Sequence, residues 1–250
     1  MKRFDWTIAL GVGVGVSAIV AGAWSEHIHL GFLWNPTAAL IVGGGTLGSV
    51  IVRRGITGIV SAIRAVWHLR LSRIDDEAHN AERAKLAWLS RMAQKSGVKA
   101  FENYANSSSD LLVVNGLTLV ADAVDHAQIK EIMERQLATE DASGLEDSAT
   151  LEAAGGFAPT FGILGAVLGL IGVLSVLDKP ADLGSGIASA FVATIYGLSF
   201  ANLVFFPLAA RLRARHEEHM KLRMELVSVI LSLAAHETPR AIINQFNLSK

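Results

Sequence analysis

The chain contains no cysteine among its 250 residues. This excludes disulfide bonds, thiolate metal sites and thiol nucleophiles, and it leaves the redox compartment undetermined. Excess charge is also lacking, because 22 Lys and Arg residues nearly balance 23 Asp and Glu residues. A nucleic-acid-binding face needs a concentration of positive charge, so we expect no nucleic acid among the partners.

Apolar residues make up 51% of the chain, and four long runs of them carry no Asp, Glu, Lys, Arg or His. Each run is long enough to cross the hydrocarbon core of a bilayer. The runs cover approximately residues 6–24, 30–52, 154–177 and 184–210. They predict an all-α, polytopic membrane protein with four transmembrane helices.

The first run has an alternative interpretation as a secretory signal peptide. It has a basic start and the small residues Ala21, Gly22 and Ala23 at its end, as a cleavage site would. A second run follows after a few residues, however, and Trp24 and Trp34 lie where an aromatic belt is expected. We therefore favour a transmembrane hairpin.

Arginines set the expected topology. They follow the second and the fourth run, and the positive-inside rule places both groups in the cytoplasm. The members are Arg53, Arg54, Arg64, Arg70 and Arg73, and then Arg211, Arg213 and Arg215. Both chain termini are then cytoplasmic, and the short loop 178–182 lies on the outer side.

This topology divides the chain into four parts. They are a hairpin of 1–52, a cytoplasmic helical insert of 53–153, a second hairpin of 154–210 and a cytoplasmic C-terminal helix of 211–250. Within the insert, apolar residues at Leu86, Leu89, Met92 and Ala93 have the spacing of an amphipathic helix. Asp110 follows a polar turn and is a candidate N-cap for a further helix.

Small and polar residues mark the third and fourth runs. Gly162, Gly165, Gly169 and Gly172 are spaced by three or four residues, which favours close helix packing. Pro159 frees a backbone carbonyl in the preceding turn, so this region is either a packing site or a gating hinge. The fourth run holds a polar seam, in which we place Thr194 beside a pathway: Ser185, Ser189, Thr194, Tyr196, Ser199 and Asn202.

Other patterns in the sequence give little support for nucleotide binding, metal binding or catalysis. Glycines at 11, 13, 15 and 43–45 lie inside apolar runs, without the strand and turn of a nucleotide fingerprint. His216 and His219 share a helix face and suit a metal, but a solvated helix explains them better. No paired carboxylates, activated nucleophile or phosphate loop is evident, so we expect no enzymatic activity and no cofactor.

The third and fourth runs carry motifs through which the chain resembles the A subunits of the bacterial flagellar stator, the MotA/PomA group of the MotA/TolQ/ExbB superfamily. The likeness spans nearly the whole chain. The motifs are the stretches 158–165 with 169–170, 193–197, 201–202 and 206–209.

The resemblance implies an inner-membrane protein that forms a pentameric ring around a MotB/PomB-like B-subunit dimer. The aspartate of that dimer carries the ion, which accounts for the missing intramembrane carboxylate. The complex then converts ion motive force into torque. Lipid surrounds the ring, and the rotor protein FliG is the cytoplasmic partner.

The resemblance also implies roles for individual residues. Pro159 and Pro207 match the prolines that couple ion flow to conformational change, and Thr194 matches the threonine that faces the B-subunit aspartate. We assign Thr160, Ala166, Thr194 and Tyr196 to the ion pathway. Ala166 stands where sodium-driven members carry threonine, and its methyl group cannot coordinate sodium, so we expect the ion to be a proton.

The rotor contact departs from the family pattern. Lys95 and Glu102 match charged positions, but Gln94 replaces an arginine. Arg91 lies one helical turn from Lys95 and supplies a comparable charge. We therefore assign Arg91, Gln94, Lys95 and Glu102 to the contact with FliG.

Two alternatives stay open at this stage. One is an ExbB- or TolQ-like energiser of another envelope machine, although those relatives generally have three spans with the large cytoplasmic part after the first. The other is a membrane scaffold that conducts nothing.

Overall fold

The computed structural model describes residues 6–71, 110–175 and 180–235. Every regular element in these ranges is helical, which confirms the predicted all-α class. The elements are α1 (Thr7–Ser25), a 3-10 turn (Leu30–Leu33), α2 (Pro36–Leu71), α3 (Leu111–Ala121), α4 (His126–Gly144), α5 (Glu146–Leu174), α6 (Pro180–Ser199), a π-helical turn (Phe200–Phe205) and α7 (Phe206–Ala234).

Four helical stretches in the described ranges are long and apolar enough to cross a membrane, as predicted. They are Thr7–Ser25, Leu30–Leu69, His126–Leu174 and Gly186–Ala234. Each overlaps one predicted run. The first stretch coincides with its apolar run, whereas the other three extend well beyond theirs into polar sequence.

The chain divides into two compact units. The membrane unit contains 1–73 and 145–213, and the second unit contains 74–144 and 214–250. In the membrane unit, α5 packs against α2 and α6, while α1 contacts the 3-10 turn and the π-helical turn. No residue of α1 is buried, so this helix presents nearly all of its surface outward.

Helix α2 is interrupted at Gly55. The backbone there has φ 70° and ψ 173°, a conformation that is accessible almost only to glycine. Residues Pro36–Arg54 and Ile56–Leu71 are therefore two helical segments with a break between them. The break follows directly after the paired arginines Arg53 and Arg54.

The second unit has an aliphatic core. Leu112 and Leu117 of α3, Ile129 and Met133 of α4, and Ile230 of α7 are almost fully buried. The carboxylate of Asp110 accepts a hydrogen bond of 3.0 Å from the backbone N–H of Leu112. Asp110 is thus the N-cap of α3, which confirms that prediction.

Several predictions fall on parts of the chain outside the described residues. They include the amphipathic helix of residues 86–93, residues 178–179 of the predicted outer loop 178–182, and the rotor-contact residues Arg91, Gln94, Lys95 and Glu102. The remaining residues of that loop, 180–182, are not a loop but the first turn of α6 (Pro180–Ser199), because a proline fits the first position of a helix.

Candidate functional site

The centre of the membrane unit is a direct backbone contact between α5 and α6. A Cβ atom added to Gly162 would lie 3.0 Å from the carbonyl oxygen of Ala193, and one added to Gly197 would lie 2.5 Å from that of Ala158. Both glycines are buried. Because neither has a side chain, the two helices approach until their backbones touch.

The same close packing continues along α5 toward its C-terminal end. A Cβ on Gly165 would lie 2.8 Å from the Cβ of Ala193, and one on Gly169 would lie 2.8 Å from that of Ala190. A Cβ on Gly172, by contrast, would meet nothing within 4 Å. Three of the four glycines singled out by their spacing therefore build the α5–α6 contact.

Pro159 and Thr194 lie beside this crossing. The added Cβ on Gly197 would be 3.1 Å from the Cα of Pro159, and the added Cβ on Gly162 would be 3.3 Å from the Cα of Thr194. Both Pro159 and Thr194 are half-buried. The structure thus brings together the proline and the threonine that the sequence identified, at the point where the two helices are closest.

Thr160 and Ala166 directly follow two residues of the α5–α6 contact, Pro159 and Gly165. Thr160 is exposed, and its hydroxyl donates a 2.6 Å hydrogen bond to the carbonyl of Phe157 in its own helix. It shares a helix face with Ile163 and Leu164, which are 58% and 46% exposed. Ala166 is half-buried. This outward apolar face of α5 is available to a neighbouring helix or to lipid.

The hydroxyl of Tyr196, which the sequence assigned to the ion pathway, contacts the backbone of the connection between α1 and α2. Its hydroxyl donates to the carbonyl of Leu33 and accepts a 3.2 Å hydrogen bond from the backbone N–H of Asn35. The Asn35 side-chain amide donates in turn to the hydroxyl of Ser189. Tyr196 and Ser189 therefore fasten α6 to the connection between α1 and α2.

Asn35 was missed by the sequence reasoning, although a signal for it existed. An Asn followed by a Pro marks a helix start, since Asn caps the first turn and Pro fits the first helical position. The Asn35 side-chain oxygen accepts a 3.0 Å hydrogen bond from the N–H of Ala38, as such a cap does.

Pro207 is the second residue of α7, which begins where the π-helical turn ends. A proline ring clashes with the carbonyl four residues earlier, which here belongs to Leu203, and a turn widened by one residue relieves that clash. The ring of Phe206 packs on Gly155, where an added Cβ would lie 2.7 Å from its Cε1 atom. Gly155 is the residue whose carbonyl Pro159 leaves without its helical N–H donor. The helix turns disturbed by the two prolines are therefore in contact.

The second unit holds a cluster of charges around Arg223. Its guanidinium pairs with Asp110, and its Nη2 atom donates a 3.0 Å hydrogen bond to Glu140. Burial lowers the pKa of Arg223, but the hydrogen bonds and charges of Asp110 and Glu140 outweigh it, so the pKa is raised. The cluster holds α7 to α4 and to the start of α3.

The two histidines of α7 each lie within hydrogen-bond distance of a different carboxylate. The Nε2 atom of His216 lies 2.8 Å from Asp141, and that of His219 lies 3.3 Å from Glu140. Over the described ranges, no three His, Cys, Asp or Glu side chains come together as metal ligands would. His216 is also more enclosed than a solvated helix face implies, with 11% of its side chain exposed.

Comparison with known proteins gives consistent matches. Residues 104–225 match the model of the MotA/TolQ/ExbB proton channel family. Motility protein A of Bacillus subtilis is 28% identical over 95% of this chain and 88% of its own length.

Two solved structures share the fold. The flagellar MotAB stator complex of Bacillus subtilis matches with a TM-score of 0.78 and 27% identity, over 95% of this chain and 93% of the matched chain. The C. jejuni MotAB structure matches with a TM-score of 0.81 and 24% identity, over 98% of this chain and 96% of the matched chain. These likenesses confirm the resemblance drawn from the motifs: residues 104–225 form a MotA/TolQ/ExbB proton channel family domain.

Proposed function

We propose that this chain is a stator subunit of the bacterial flagellar motor, which forms an ion channel with a B subunit and converts ion motive force into torque. The observation that carries the proposal is the likeness to a flagellar stator complex over nearly the full chain, with its fold and element order. The chain supplies the wall of the pathway, and no covalent catalysis is needed for this work.

The composition of the spans supports a partner that carries the ion. Ion pathways through membranes usually need an ionisable group at depth, and the four apolar runs contain none. The B subunit supplies that carboxylate as a dimer at the centre of a ring of five A subunits. The outward apolar face of α5 offers these partners a surface, beside Thr194 and Pro159.

The arginines of α7 and those on either side of the break in α2 support an orientation in which both termini are in the cytoplasm of an inner-membrane protein. The hairpins of 1–52 and 154–210 then span the bilayer. Residues 53–153 and 211–250 lie inside the cell, where Arg91, Gln94, Lys95 and Glu102 contact FliG through their charges.

The proposed ion is the proton. A bound sodium ion needs several oxygen ligands, whereas a proton needs only the partner carboxylate and a water route. The methyl group of Ala166 supplies no oxygen to the pathway. Thr160 uses its hydroxyl within α5 and Tyr196 uses its hydroxyl on Leu33, which leaves Thr194 as the hydroxyl nearest the helix crossing.

Measurements of swimming speed test both the stator role and the choice of the proton as the ion. The gene for the chain is deleted and restored together with its B subunit, and speed is measured in sodium-free and sodium-containing medium while a protonophore is titrated. We expect swimming without sodium that stops with the protonophore. Swimming that requires sodium would contradict the choice of ion, and no effect on motility with both subunits in the membrane would contradict the stator role.

A further inference from the structure

A half-open groove of about 470 Å³ lies between α1 and the π-helical turn with the start of α7. Its volume is in the range of small-molecule sites, roughly 300–1,000 Å³. Apolar side chains, including Ile8, Val12 and Leu203, line most of it, and Gly11 opens its α1 wall. All of these residues belong to the membrane unit.

One end of the groove is polar. Arg211 lines it together with Thr7, and its Nη2 atom donates a 2.7 Å hydrogen bond to the Thr7 hydroxyl. Thr7 begins α1, and Arg211 is the first charged residue after the fourth apolar run. The polar end is thus at the level where the hydrocarbon core meets the head groups on the proposed cytoplasmic side.

We propose that this groove binds one anionic phospholipid of the leaflet on the Arg211 side. An acyl chain fills the apolar length, and the phosphate lies on the Arg211 guanidinium, whose planar shape and charge suit that group. Basic pockets between transmembrane helices bind lipid head groups in this way. An anionic head group fits better than an ethanolamine, which would bring a second cation beside the arginine.

The sparse packing of α1 supports the presence of a bound lipid in the groove. The helix has no buried residue, and it packs closely at Gly15, where an added Cβ would lie 2.6 Å from a methyl carbon of Leu203. Since helices in lipid associate through packing, a bound lipid that touches both walls would complete the packing of α1.

Matched glycine substitutions test the site. Cβ atoms on Gly11 and Gly13 would each meet nothing within 4 Å, but of the two only Gly11 lines the groove. Gly11→Leu therefore fills the groove, whereas Gly13→Leu makes the same change elsewhere on α1. Arg211→Gln removes the charge, and Arg215→Gln removes a nearby arginine that does not line the groove.

The measurement is native mass spectrometry of the complex with its B subunit in mixed micelles, with phosphatidylglycerol titrated against phosphatidylethanolamine. We expect bound phosphatidylglycerol in the wild type and in both controls. Its retention should fall roughly fivefold in Arg211→Gln, as for the loss of one interfacial charge, and should be lost in Gly11→Leu.

Equal retention in Gly11→Leu and Gly13→Leu would overturn the proposal, as would retention without preference for the anionic lipid. A groove filled by a neighbouring chain, seen as a crosslink from residue 11 to another subunit, would overturn it too. The proposal goes beyond the stator role and does not involve the ion pathway, so a negative result leaves the swimming experiment unaffected.

Discussion

At the scale of single residues, Arg223 has the clearest energetic role in the second unit. Its side chain is 11% exposed, and its partners Asp110 and Glu140 are 27% and 29% exposed. Arg223→Gln leaves both carboxylates without their cation. Removing one member of a fully buried pair costs about 3–5 kcal/mol, and partial solvent screening reduces that here to roughly 2 kcal/mol.

Thermal unfolding of the purified complex measures this loss, with Lys221→Gln on the exposed side of the same helix as the matched control. We expect a lower midpoint for Arg223→Gln and little change for the control. Because the pKa of Arg223 is raised, its guanidinium stays charged up to and beyond the ordinary arginine value, and the stabilisation that depends on this charge is lost only at more alkaline pH. Equal midpoints for the two variants would show that the cluster contributes nothing.

At the scale of helices, the crossing of α5 and α6 sets the geometry of the candidate pathway. In Gly197→Ala the new methyl group meets the backbone of Ala158, which cannot move aside as a side chain can. We expect a loss of about 1–3 kcal/mol from overpacking. The readout is the thermal midpoint of the complex.

Gly184→Ala is the control on the same helix, because an added Cβ there meets nothing within 4 Å. It should be neutral or slightly stabilising, since alanine is the better helix former. If Gly197→Ala were as stable as Gly184→Ala, the two helices would not touch as described.

Local patterns predicted some of these elements well. The four spans follow from apolar runs without charge, the packing face of α5 from glycine spacing, and the cap at Asp110 from a polar turn before an apolar run. Each of these signals lies within one continuous stretch of sequence. The presence of the spans and part of the packing face of α5 are therefore accessible from the sequence alone.

Other features depend on contacts between distant residues and had no local signal. Tyr196 reaches Leu33, 163 positions away, so its hydroxyl could not be placed from the fourth run alone. Gly172 has the same spacing as the packing glycines but faces open space.

At the scale of the whole molecule, the chain accounts for only part of a working channel. Its apolar runs carry no ionisable group, and α5 exposes Ile163, Leu164 and Ile171 outside the α5–α6 contact. A monomer that stays alone would leave this face to lipid. The stator proposal instead covers it with other subunits, and it places the B-subunit carboxylate near Thr194.

A substitution series at Thr194 tests that central claim most directly. Swimming speed is measured for Thr194→Ser, Thr194→Val and Thr194→Leu, and co-purification with the B subunit is measured in parallel. We expect Thr194→Ser to swim, Thr194→Val to swim poorly because the hydroxyl is lost, and Thr194→Leu to lose swimming while the complex still assembles. Normal swimming by an assembled Thr194→Leu complex would contradict a pathway beside this residue.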